Sequence, residues 1–459
     1  MMKKWLLLLL VCGVAALLSA FEVTPRIYPA DTEATITFRP ETKWERENLE
    51  KIQVAYVSER GLHADGSGPH LFPGAIPSTV VDGTLTVKVM LRGEDRHTFL
   101  FSLPPKEKGK PAPVSQIEYL MTLKPDLFAL RPFRGDIHQH SNVSDGKLAP
   151  EEHIRYARRA GFDFVGVSDH WRYKQNPRVI RTAAESGSGL TVYPAEEMHT
   201  PGAVLHSVCI GAPEKMSLSW PKNQLREDIA KIAEEIRREC PEANEKEIEL
   251  TAQAVFVARR ARAAGATVIY AHPFWVPRSK GKFQSPPFMT RYILTHKDFD
   301  AIEIWNGALT DGMNSRIAAL LYELAAAGGR RWPVTCGSDC HNVAANDSRG
   351  LRYFNVIFAK DCTYPSFRDA LINFRSAAGH SAKVGDGPTC YFGPLRIVGV
   401  ADFLHQCGYW RRHLALCRKQ EALIAKYLAG DKTTVPEIRE LAAKIDALRE
   451  NLFYRPDAK

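Results

Sequence analysis

The amino-acid sequence predicts a mixed α/β protein in which a β/α barrel lies between an N-terminal β-sandwich and a C-terminal helical hairpin. Three patterns support this fold class. Apolar residues alternate with period two up to about residue 130, short apolar runs alternate with helical stretches from about residue 131, and two amphipathic helices follow residue 396. The chain has 459 residues, 45% of them hydrophobic and 25% charged, which excludes a disordered, collagen-like or polytopic membrane protein.

Residues 1–20 are predicted to be a secretory signal peptide. Lys3 and Lys4 precede an apolar run over residues 5–18, and small residues follow up to Ala20, after which we expect cleavage. A membrane anchor is the alternative, but the run is shorter than the roughly twenty residues that a span needs. We therefore expect a periplasmic or secreted protein without a stable membrane span.

Residues 21–130 are predicted to form a small antiparallel β-sandwich. Alternating runs at 34–38, 52–57, 85–89 and 98–101 are rich in β-branched and aromatic residues and are separated by Pro and Gly. The segment 104–113, rich in Lys and Pro, is interpreted as a solvated loop or linker. Nothing in this region indicates chemistry.

Residues 131–395 are predicted to form a barrel of parallel βα units. Its seven candidate strands are 135–138, 164–167, 191–193, 205–210, 267–270, 301–304 and 333–336. A charged insertion at about 212–264 has helical periodicity and is interpreted as solvated helix. Two further helices, 401–428 and 436–452, are expected within the C-terminal segment 396–459, and they pack either on the barrel or on another subunit of a homo-oligomer.

The charge and the cysteines narrow the functional classes. The formal net charge of +9 is spread along the chain and falls to +7 without Lys3 and Lys4, so we expect no nucleic-acid partner. No P-loop or Rossmann signature occurs. Eight cysteines remain outside the signal peptide, and their spacing leaves any disulfide pairing open; Cys336 and Cys340 alone are weak evidence for zinc.

Imidazole and carboxylate side chains recur at the predicted strand ends. The C-terminal strand ends of a β/α barrel form its active-site mouth, and these side chains are the ligands that zinc, iron and manganese use. The sequence therefore predicts a metal site. The candidate ligands are His138, His140, Asp145, His170, Glu197, His206, His272, Asp339 and His341.

The motifs that contain these residues resemble those of the PHP (polymerase and histidinol phosphatase) family. The resemblance covers residues 131–393 and rests on Gly-Asp-Ile-His-Gln-His at 135–140, Ser-Asp-Gly at 144–146, Ser-Asp-His at 168–170 and Gly-Ser-Asp-Cys-His at 337–341. It implies a distorted seven-stranded β/α barrel that holds two or three divalent ions, Zn, Mn or Fe.

The resemblance also implies a role for each ligand. His138, His140 and Asp339 would bind a first ion, and Glu197 would bridge to a second ion that His206 and His272 complete. Asp145, where some members carry histidine, would bind a third ion with His170 and His341. From the residue pattern alone Glu196 and Glu197 are alternatives, and the family's usual turn before this glutamate selects Glu197.

Further pocket residues are expected on the loops that follow the strands. Asp169 and His199 are candidate proton donors to the leaving group; alternatively, Asp169 orients a ligand histidine and His199 lies at the rim. Arg172, Lys174 and Arg349 are candidates for phosphate binding, although loop cations are often solvated. Three residues either shape the pocket or pack the barrel rim: Trp275, Trp305 and Asn306.

These features predict a metal-dependent hydrolase, a phosphoesterase that uses metal-activated hydroxide on a small, anionic phosphorylated substrate. A metal-dependent hydrolase of carbamate or carboxylic esters is the alternative within the same chemistry. A binding protein that uses the barrel as a scaffold is the alternative of another class, and the full ligand set disfavours it. Polymerase-associated proofreading is disfavoured by the signal peptide and by the absence of polymerase sequence.

Overall fold

The structure, a computed structural model, describes residues 21–61, 74–104, 114–200, 205–212, 222–276, 285–309, 311–344 and 350–456. The predicted signal peptide, almost all of the predicted linker 104–113, and Arg349 lie outside the described residues. The chain divides into two compact units. The first comprises residues up to 129 together with 403–409 and 448–459, and the second comprises 130–402 together with 410–447.

The first unit contains two β-sheets that share one hydrophobic core. Its strands are β1 (Phe21–Glu22), β2 (Ile27–Pro29), β3 (Thr32–Pro40), β4 (Gln53–Ser58), β5 (Gly74–Ile76), β6 (Ser78–Val81), β7 (Thr84–Leu91), β8 (Arg96–Ser102) and β9 (Val114–Leu123), with short helices α1 (Lys43–Asn48) and α2 (Pro125–Phe128). The sheet orders are β1-β3-β7-β6 and β2-β9-β8-β4-β5. Alternate residues of both sheets, such as Phe38 and Phe99, are buried in the core, as the period-two pattern requires.

The remaining elements are ten strands and ten α-helices of the described chain. The strands are β10 (Arg131–Asp136), β11 (Phe164–Val167), β12 (Thr191–Met198), β13 (Ser207–Ile210), β14 (Thr267–Tyr270), β15 (Ala301–Asn306), β16 (Val334–Gly337), β17 (Tyr353–Ala359), β18 (Ser376–Lys383) and β19 (Asp386–Phe392). The helices are α3 (Glu152–Ala160), α4 (Gln175–Ser186), α5 (Lys222–Glu239), α6 (Glu245–Ala263), α7 (Pro287–Thr295), α8 (Asp311–Ala326), α9 (Tyr364–Ile372), α10 (Leu395–Gln406), α11 (Tyr409–Leu428) and α12 (Val435–Glu450).

The ten strands form one nearly closed, barrel-like sheet. Their order is β16-β15-β14-β13-β12-β11-β10-β17-β18-β19. Just beyond the ends of β10 and β16, the Asp339 N–H donates to the His138 carbonyl at 2.8 Å and the His140 N–H donates to the Cys340 carbonyl at 3.1 Å. These bonds bring the two ends of the seven-strand run β10–β16 together at the edge where the predicted ligands follow the strands.

The prediction of parallel units throughout the barrel is wrong at β13, which is antiparallel to both β12 and β14. The connection from β12 to β13 covers only residues 199–206, which is too short for the crossover that a parallel neighbour needs. The reversal has a useful result: His206, which precedes β13, lies at the same edge as the residues that follow the other strands. Strands β17–β19 are also antiparallel and were not predicted.

The charged segment before β14 is not a solvated insertion along its whole length. Helix α6 begins with a capping box between Asn244 and Glu247 and then buries Val255 and Phe256 in the main core. The charged residues of α6 lie near its ends, whereas its middle is apolar on several sides and is buried. It serves as the helix that precedes β14.

The predicted C-terminal hairpin contains three helices rather than two. The first predicted helix is divided into α10 and α11 at Gly408, whose φ of +73° is in the left-handed region that ends helices. Within the described part of the chain, no helix has both the length and the apolar character needed to cross a membrane. None of the eight described cysteines forms a disulfide with another described residue.

Candidate metal centre

Three overlapping groups of potential ligands lie at the edge where β10–β12, β14 and β16 end. Within each group, one ligand atom per residue lies within 4.8 Å of every other. The groups are His138, His140, Glu197 and Asp339; His140, Asp145, His170 and His341; and His170, Glu197 and His206. Eight of the nine predicted ligands therefore occur in them, and the ninth, His272, contacts Glu197.

The first group is the most buried. Nε2 of His140 lies 3.1 Å from Oε2 of Glu197 and 3.2 Å from Oδ1 of Asp339, and Nε2 of His138 lies 3.3 Å from the same Glu197 oxygen. Two imidazoles and two carboxylates thus aim at one point from three different strand ends. These four residues are the set that the sequence assigns to a first ion and its bridge.

Glu197 occupies the middle of the cluster. Its Oε1 lies 2.9 Å from Nδ1 of His206 and 3.0 Å from Nε2 of His272, whereas its Oε2 faces His138, His140 and, at 3.2 Å, His170. Each oxygen therefore meets a different set of imidazoles, as a bridging carboxylate must. Neighbouring side chains of a strand point to opposite faces, so Glu196 does not share this position.

The remaining group lies nearer to solvent. Nε2 of His341 lies 3.2 Å from Oδ2 of Asp145, and Nε2 of His170 lies 3.6 Å from the same oxygen. About half of the Asp145 side chain is exposed. These are the three residues predicted for a third ion, and the structure adds His140, whose ring lies 4.3 Å from that of His341.

Several buried imidazole nitrogens make no hydrogen bond to any residue that the structure describes, although carboxylates lie beside them. They are Nε2 of His138, both nitrogens of His140 and Nδ1 of His170. Buried polar atoms are almost always paired, so unpaired nitrogens beside carboxylates need an explanation. A divalent cation would bind the one lone pair that each neutral imidazole ring offers, and the nitrogen and oxygen donors fit zinc, manganese or iron.

Electrostatics keeps the carboxylates ionised. Burial alone would raise the pKa of Glu197, but His138, His206 and His170 hold it well below its usual range. Burial would likewise lower the pKa of His140, yet Asp339 and Glu197 raise it to about 10. The metal-free cluster therefore holds a proton on His140 at neutral pH, and a cation must displace that proton to bind.

Three residues at this edge adopt left-handed backbone conformations that side chains disfavour. The φ angles are +51° for Trp171, +27° for His272 and +50° for Asp339. Each follows a strand and belongs to the cluster or borders it. Such strain is maintained only where surrounding contacts impose it, and it is common at functional sites.

Two buried carboxylates behind the ligands were missed in the sequence. Glu303, in β15, has Oε1 2.7 Å from Nδ1 of His138. Asp136, at the end of β10, accepts hydrogen bonds from the backbone N–H groups of Ser338 and His138 at 3.1 and 3.2 Å. Glu303 is the one charged residue of a buried apolar strand, and that signal could have identified it.

The two candidate proton donors take different positions. Asp169 is buried and accepts from the Ser141 N–H, the Ser141 hydroxyl and the Ser144 hydroxyl at 2.8, 2.6 and 2.6 Å, so it orders the loop before Asp145 and not a ligand histidine. His199 stacks on His206 with ring centroids 4.6 Å apart. Burial lowers the pKa of His199 to about 4, and its ring is therefore neutral at pH 7.

The other pocket candidates are dispersed. Arg172 and Lys174 are exposed, and the Arg172 guanidinium donates to the Trp171 carbonyl at 3.2 Å. The Trp275 ring lies 5.5 Å from that of His272, at the cluster, whereas the Trp305 ring lies 6.1 Å from that of Phe392. Asn306 is buried and its side-chain amide donates to Glu303.

No protein-family model matches the sequence, and a search of curated proteins found no match. Among solved structures, a two-domain protein from Bacteroides vulgatus, described as containing a predicted PHP-like metal-dependent phosphoesterase, is 20% identical with a TM-score of 0.39. The match covers 55% of this chain and 66% of that chain, so this chain spans just under two thirds of that protein. A protein from Bifidobacterium adolescentis named as a metal-dependent phosphoesterase is 17% identical with a TM-score of 0.34, over 52% of this chain and 95% of that one. An amidohydrolase from Chromobacterium violaceum is 19% identical with a TM-score of 0.30, over 45% of this chain and 87% of that one.

Proposed function

We propose that this protein is a metal-dependent hydrolase, and specifically a phosphoesterase of the PHP type that acts on a small phosphorylated molecule. The observation that supports this best is the pair of oxygens of Glu197, each of which faces a different set of imidazoles. Several buried nitrogens of these rings have no hydrogen-bond partner among the described residues. Such a side chain is suited to holding two cations close together. Bound there, divalent ions would supply acidified water as nucleophile and neutralise developing charge.

The residues of the cluster would have different roles according to how deeply they are buried. The buried group around His138 and Asp339 would hold cations firmly, and the half-exposed group around Asp145 and His341 would meet the substrate. His199, whose ring is neutral, would contact the substrate at the rim and would not supply the leaving-group proton. Asp169 would keep the Asp145 loop in place.

The balance of charge supports a phosphoester over a neutral ester. The nine candidate ligands include three carboxylates, whereas two or three divalent ions would bring four to six positive charges. In the half-exposed group, where Asp145 is the one carboxylate beside three histidines, a divalent ion would leave net positive charge and would attract an anionic group. Since a carboxylic ester or carbamate gains less from this field, we propose the phosphoester.

We further propose that the chain is exported and that the signal peptide is cleaved after Ala20. The Phe21 N–H already donates to Oε1 of the buried Glu118 at 3.3 Å. Cleavage at this bond would turn that amide into a charged α-amino group beside a carboxylate, a favourable pairing. The first residue of the mature protein, read by N-terminal sequencing, tests the proposal.

The central test compares substrates and metals on the same purified protein. We expect p-nitrophenyl phosphate to be hydrolysed, the activity to disappear after chelation and to return with Zn²⁺, Mn²⁺ or Fe²⁺, and p-nitrophenyl acetate to be a poor substrate. His138→Ala and Asp339→Ala should each lose bound metal, measured by elemental analysis, and lower turnover by about 10³-fold or more. His296→Ala, a histidine outside the cluster, is the matched control.

Two results would contradict the proposal in different ways. Rapid acetate hydrolysis without phosphate hydrolysis would keep the metal chemistry and reject the phosphoester. Full activity in a metal-free His138→Ala protein would reject the metal centre as the site of reaction.

A further inference from the structure

Glu303 is a buried carboxylate that the proposed function leaves without a role. It lies in β15 between Ile302 and Ile304, and all three side chains are fully buried. An ionised carboxylate in such surroundings is strongly unfavourable unless polar partners surround it. Its contacts therefore indicate what keeps it there.

Those contacts point to the metal centre. Oε1 of Glu303 lies 2.7 Å from Nδ1 of His138, and Oε2 accepts the His272 backbone N–H at 3.1 Å and the Asn306 side-chain amide at 2.9 Å. Because N–H groups meet Oε2 from both partners, the carboxylate acts as an acceptor. Nδ1 of His138 then carries the hydrogen that Oε1 accepts.

A cation needs the neutral form of His138, and in that form a hydrogen on Nδ1 places the lone pair on Nε2. That nitrogen, Nε2, is buried and makes no hydrogen bond within the described part of the chain. It lies 3.3 Å from Oε2 of Glu197 and 3.5 Å from Oδ1 of Asp339. We propose that Glu303 is a positioning residue of the metal centre, which fixes His138 in the tautomer and ring orientation that present Nε2 to a divalent cation. The inference rests on the metal centre of the proposed function.

The surroundings of Glu303 are shaped for this contact. A Cβ atom at Gly337 would lie 2.1 Å from Oε1 of Glu303 and 2.9 Å from Cβ of His138. Glycine is therefore required there by the close approach of the two side chains. Asn306 is held in turn, because its Oδ1 accepts the Ala308 N–H at 2.8 Å and this directs its amide nitrogen towards Glu303.

Glu303 also links two parts of the cluster. Its Oε2 accepts the N–H of His272, a residue with a φ of +27°, and Nε2 of His272 lies 3.0 Å from Oε1 of Glu197. One side chain therefore orients an imidazole on each side of the bridging carboxylate. Its loss should weaken more than one ligand.

The test uses Glu303→Gln in the full-length protein. The amide has the shape of the carboxylate, but its oxygen must stay with the two N–H donors on the Oε2 side, which turns its NH₂ towards His138. That arrangement favours the tautomer with hydrogen on Nε2 and blocks the lone pair. We expect Zn²⁺ affinity, measured on metal-free protein by competition with a chromophoric chelator, to fall by about 10–100-fold.

Two controls separate this role from packing. Glu45 is an equally buried carboxylate in the first unit that accepts backbone N–H groups and contacts no histidine, so Glu45→Gln should bind Zn²⁺ like the wild type. In ¹H–¹⁵N spectra at saturating Zn²⁺, the Nδ1–H of His138 should be protected from exchange in the wild type and should lose that protection in Glu303→Gln. A packing role predicts neither change, because glutamine fills the same space.

The outcomes are distinct. Wild-type Zn²⁺ affinity and an equally protected His138 Nδ1–H in Glu303→Gln would overturn the inference and leave the metal centre intact. Failure of the wild type to bind Zn²⁺ would overturn the proposed metal centre with it. If Glu303→Gln does not fold, Asn306→Ala should still weaken Zn²⁺ binding several-fold, and wild-type affinity in that variant would count against the inference.

Discussion

At the residue scale, the geometry of the cluster depends on the candidate ligands and equally on the side chains that fix their positions. Asp169 illustrates this, since its three accepted hydrogen bonds all come from Ser141 and Ser144, just before Asp145. A buried acceptor with short bonds to a loop restricts that loop. The position of Asp145 and of the half-exposed group therefore depends on a residue that need not touch a cation.

We predict that Asp169→Ala loses the cation of the half-exposed group and retains those of the buried group. Elemental analysis after dialysis should show about one metal equivalent fewer than in the wild type. Asp361 accepts in the same way from the N–H and hydroxyl of Thr363 in an exposed turn, so Asp361→Ala is a matched control that should keep the full content. An unchanged metal content in Asp169→Ala would contradict the prediction.

His97 in the first unit makes stability depend on pH. It is buried, with Nδ1 2.6 Å from the Tyr56 hydroxyl and Nε2 2.8 Å from the Thr122 hydroxyl, and burial lowers its pKa from 6.5 to about 4. The unfolded chain therefore takes up this proton first as the pH falls. Stability that is present above pH 6.5 is lost between pH 6.5 and 4, by about 3 kcal/mol.

Urea unfolding at a series of pH values tests this in the wild type and in His97→Gln. The free energy of unfolding of the wild type should fall more steeply between pH 6.5 and 4 than that of the variant. Above pH 7 the variant should be the less stable of the two. Parallel curves would show that His97 does not titrate as argued.

The candidate ligands could be found from sequence because they lie at or near the ends of predicted strands, where a polar residue interrupts an apolar run. The contacts behind them could not be found in this way. Glu303 pairs with His138 across 165 positions of sequence, and the pairing depends on how β15 lies beside β16 and β10. Strand order is a tertiary property that local periodicity does not contain.

At the element scale, local patterns identified most strands of the barrel but not their directions. A short apolar run looks the same in a parallel and in an antiparallel strand, and only the short connection 199–206 distinguishes β13. No helix lies between β18 and β19, and strands β17–β19 are antiparallel to their neighbours. A sequence pattern of repeated βα units therefore does not include them. Helix α6 was predicted to be solvated because its exposed ends are charged, but its middle is buried.

Helix α11 is fixed to the second unit by a buried polar cluster. Nε2 of His413 lies 2.9 Å from Oδ1 of Asp163, which precedes β11, and Nδ1 lies 3.6 Å from Sγ of Cys417. Burial would lower the pKa of His413, but Cys417 and Asp163 raise it to about 9. The imidazole is therefore charged at neutral pH and compensates buried negative charge.

Replacing His413 by alanine should thus destabilise the second unit by about 3–5 kcal/mol, because it removes a charged partner of the buried Asp163. Thermal or urea unfolding measures the loss. Arg411→Ala, an exposed change on the same helix, should alter stability by less than about 0.5 kcal/mol. Equal stabilities of the two variants would argue against a charged cluster.

At the scale of the whole molecule, the two units are not consecutive in sequence. Residues 448–459 belong to the first unit, where the Leu452 carbonyl accepts the N–H groups of Arg26 and Ile27 at 2.9 Å each. The Tyr454 N–H donates back to the Ile27 carbonyl at 2.7 Å, and its ring stacks on Tyr28 at 5.0 Å. The last residues thus complete the edge of β2.

We predict that deleting residues 448–459 destabilises the first unit by about 2–4 kcal/mol and leaves the metal content of the second unit unchanged. Hydrogen exchange should increase in β2 and β9 more than in β10–β16. Tyr454→Ala should give a smaller effect of the same kind. Unchanged exchange in β2 after the deletion would contradict the prediction.

The pairing of residues 452–454 with β2 has a consequence for the order in which the protein folds during synthesis. A ribosome synthesises the chain from its amino end, so the residues of β1–β9 are made long before residues 452–454, which pair with β2. The second unit has almost all of its residues available while the edge of β2 still lacks a partner. The first region to be synthesised is therefore the last that can reach its final form, and it does so only after the ribosome has added residues 452–454.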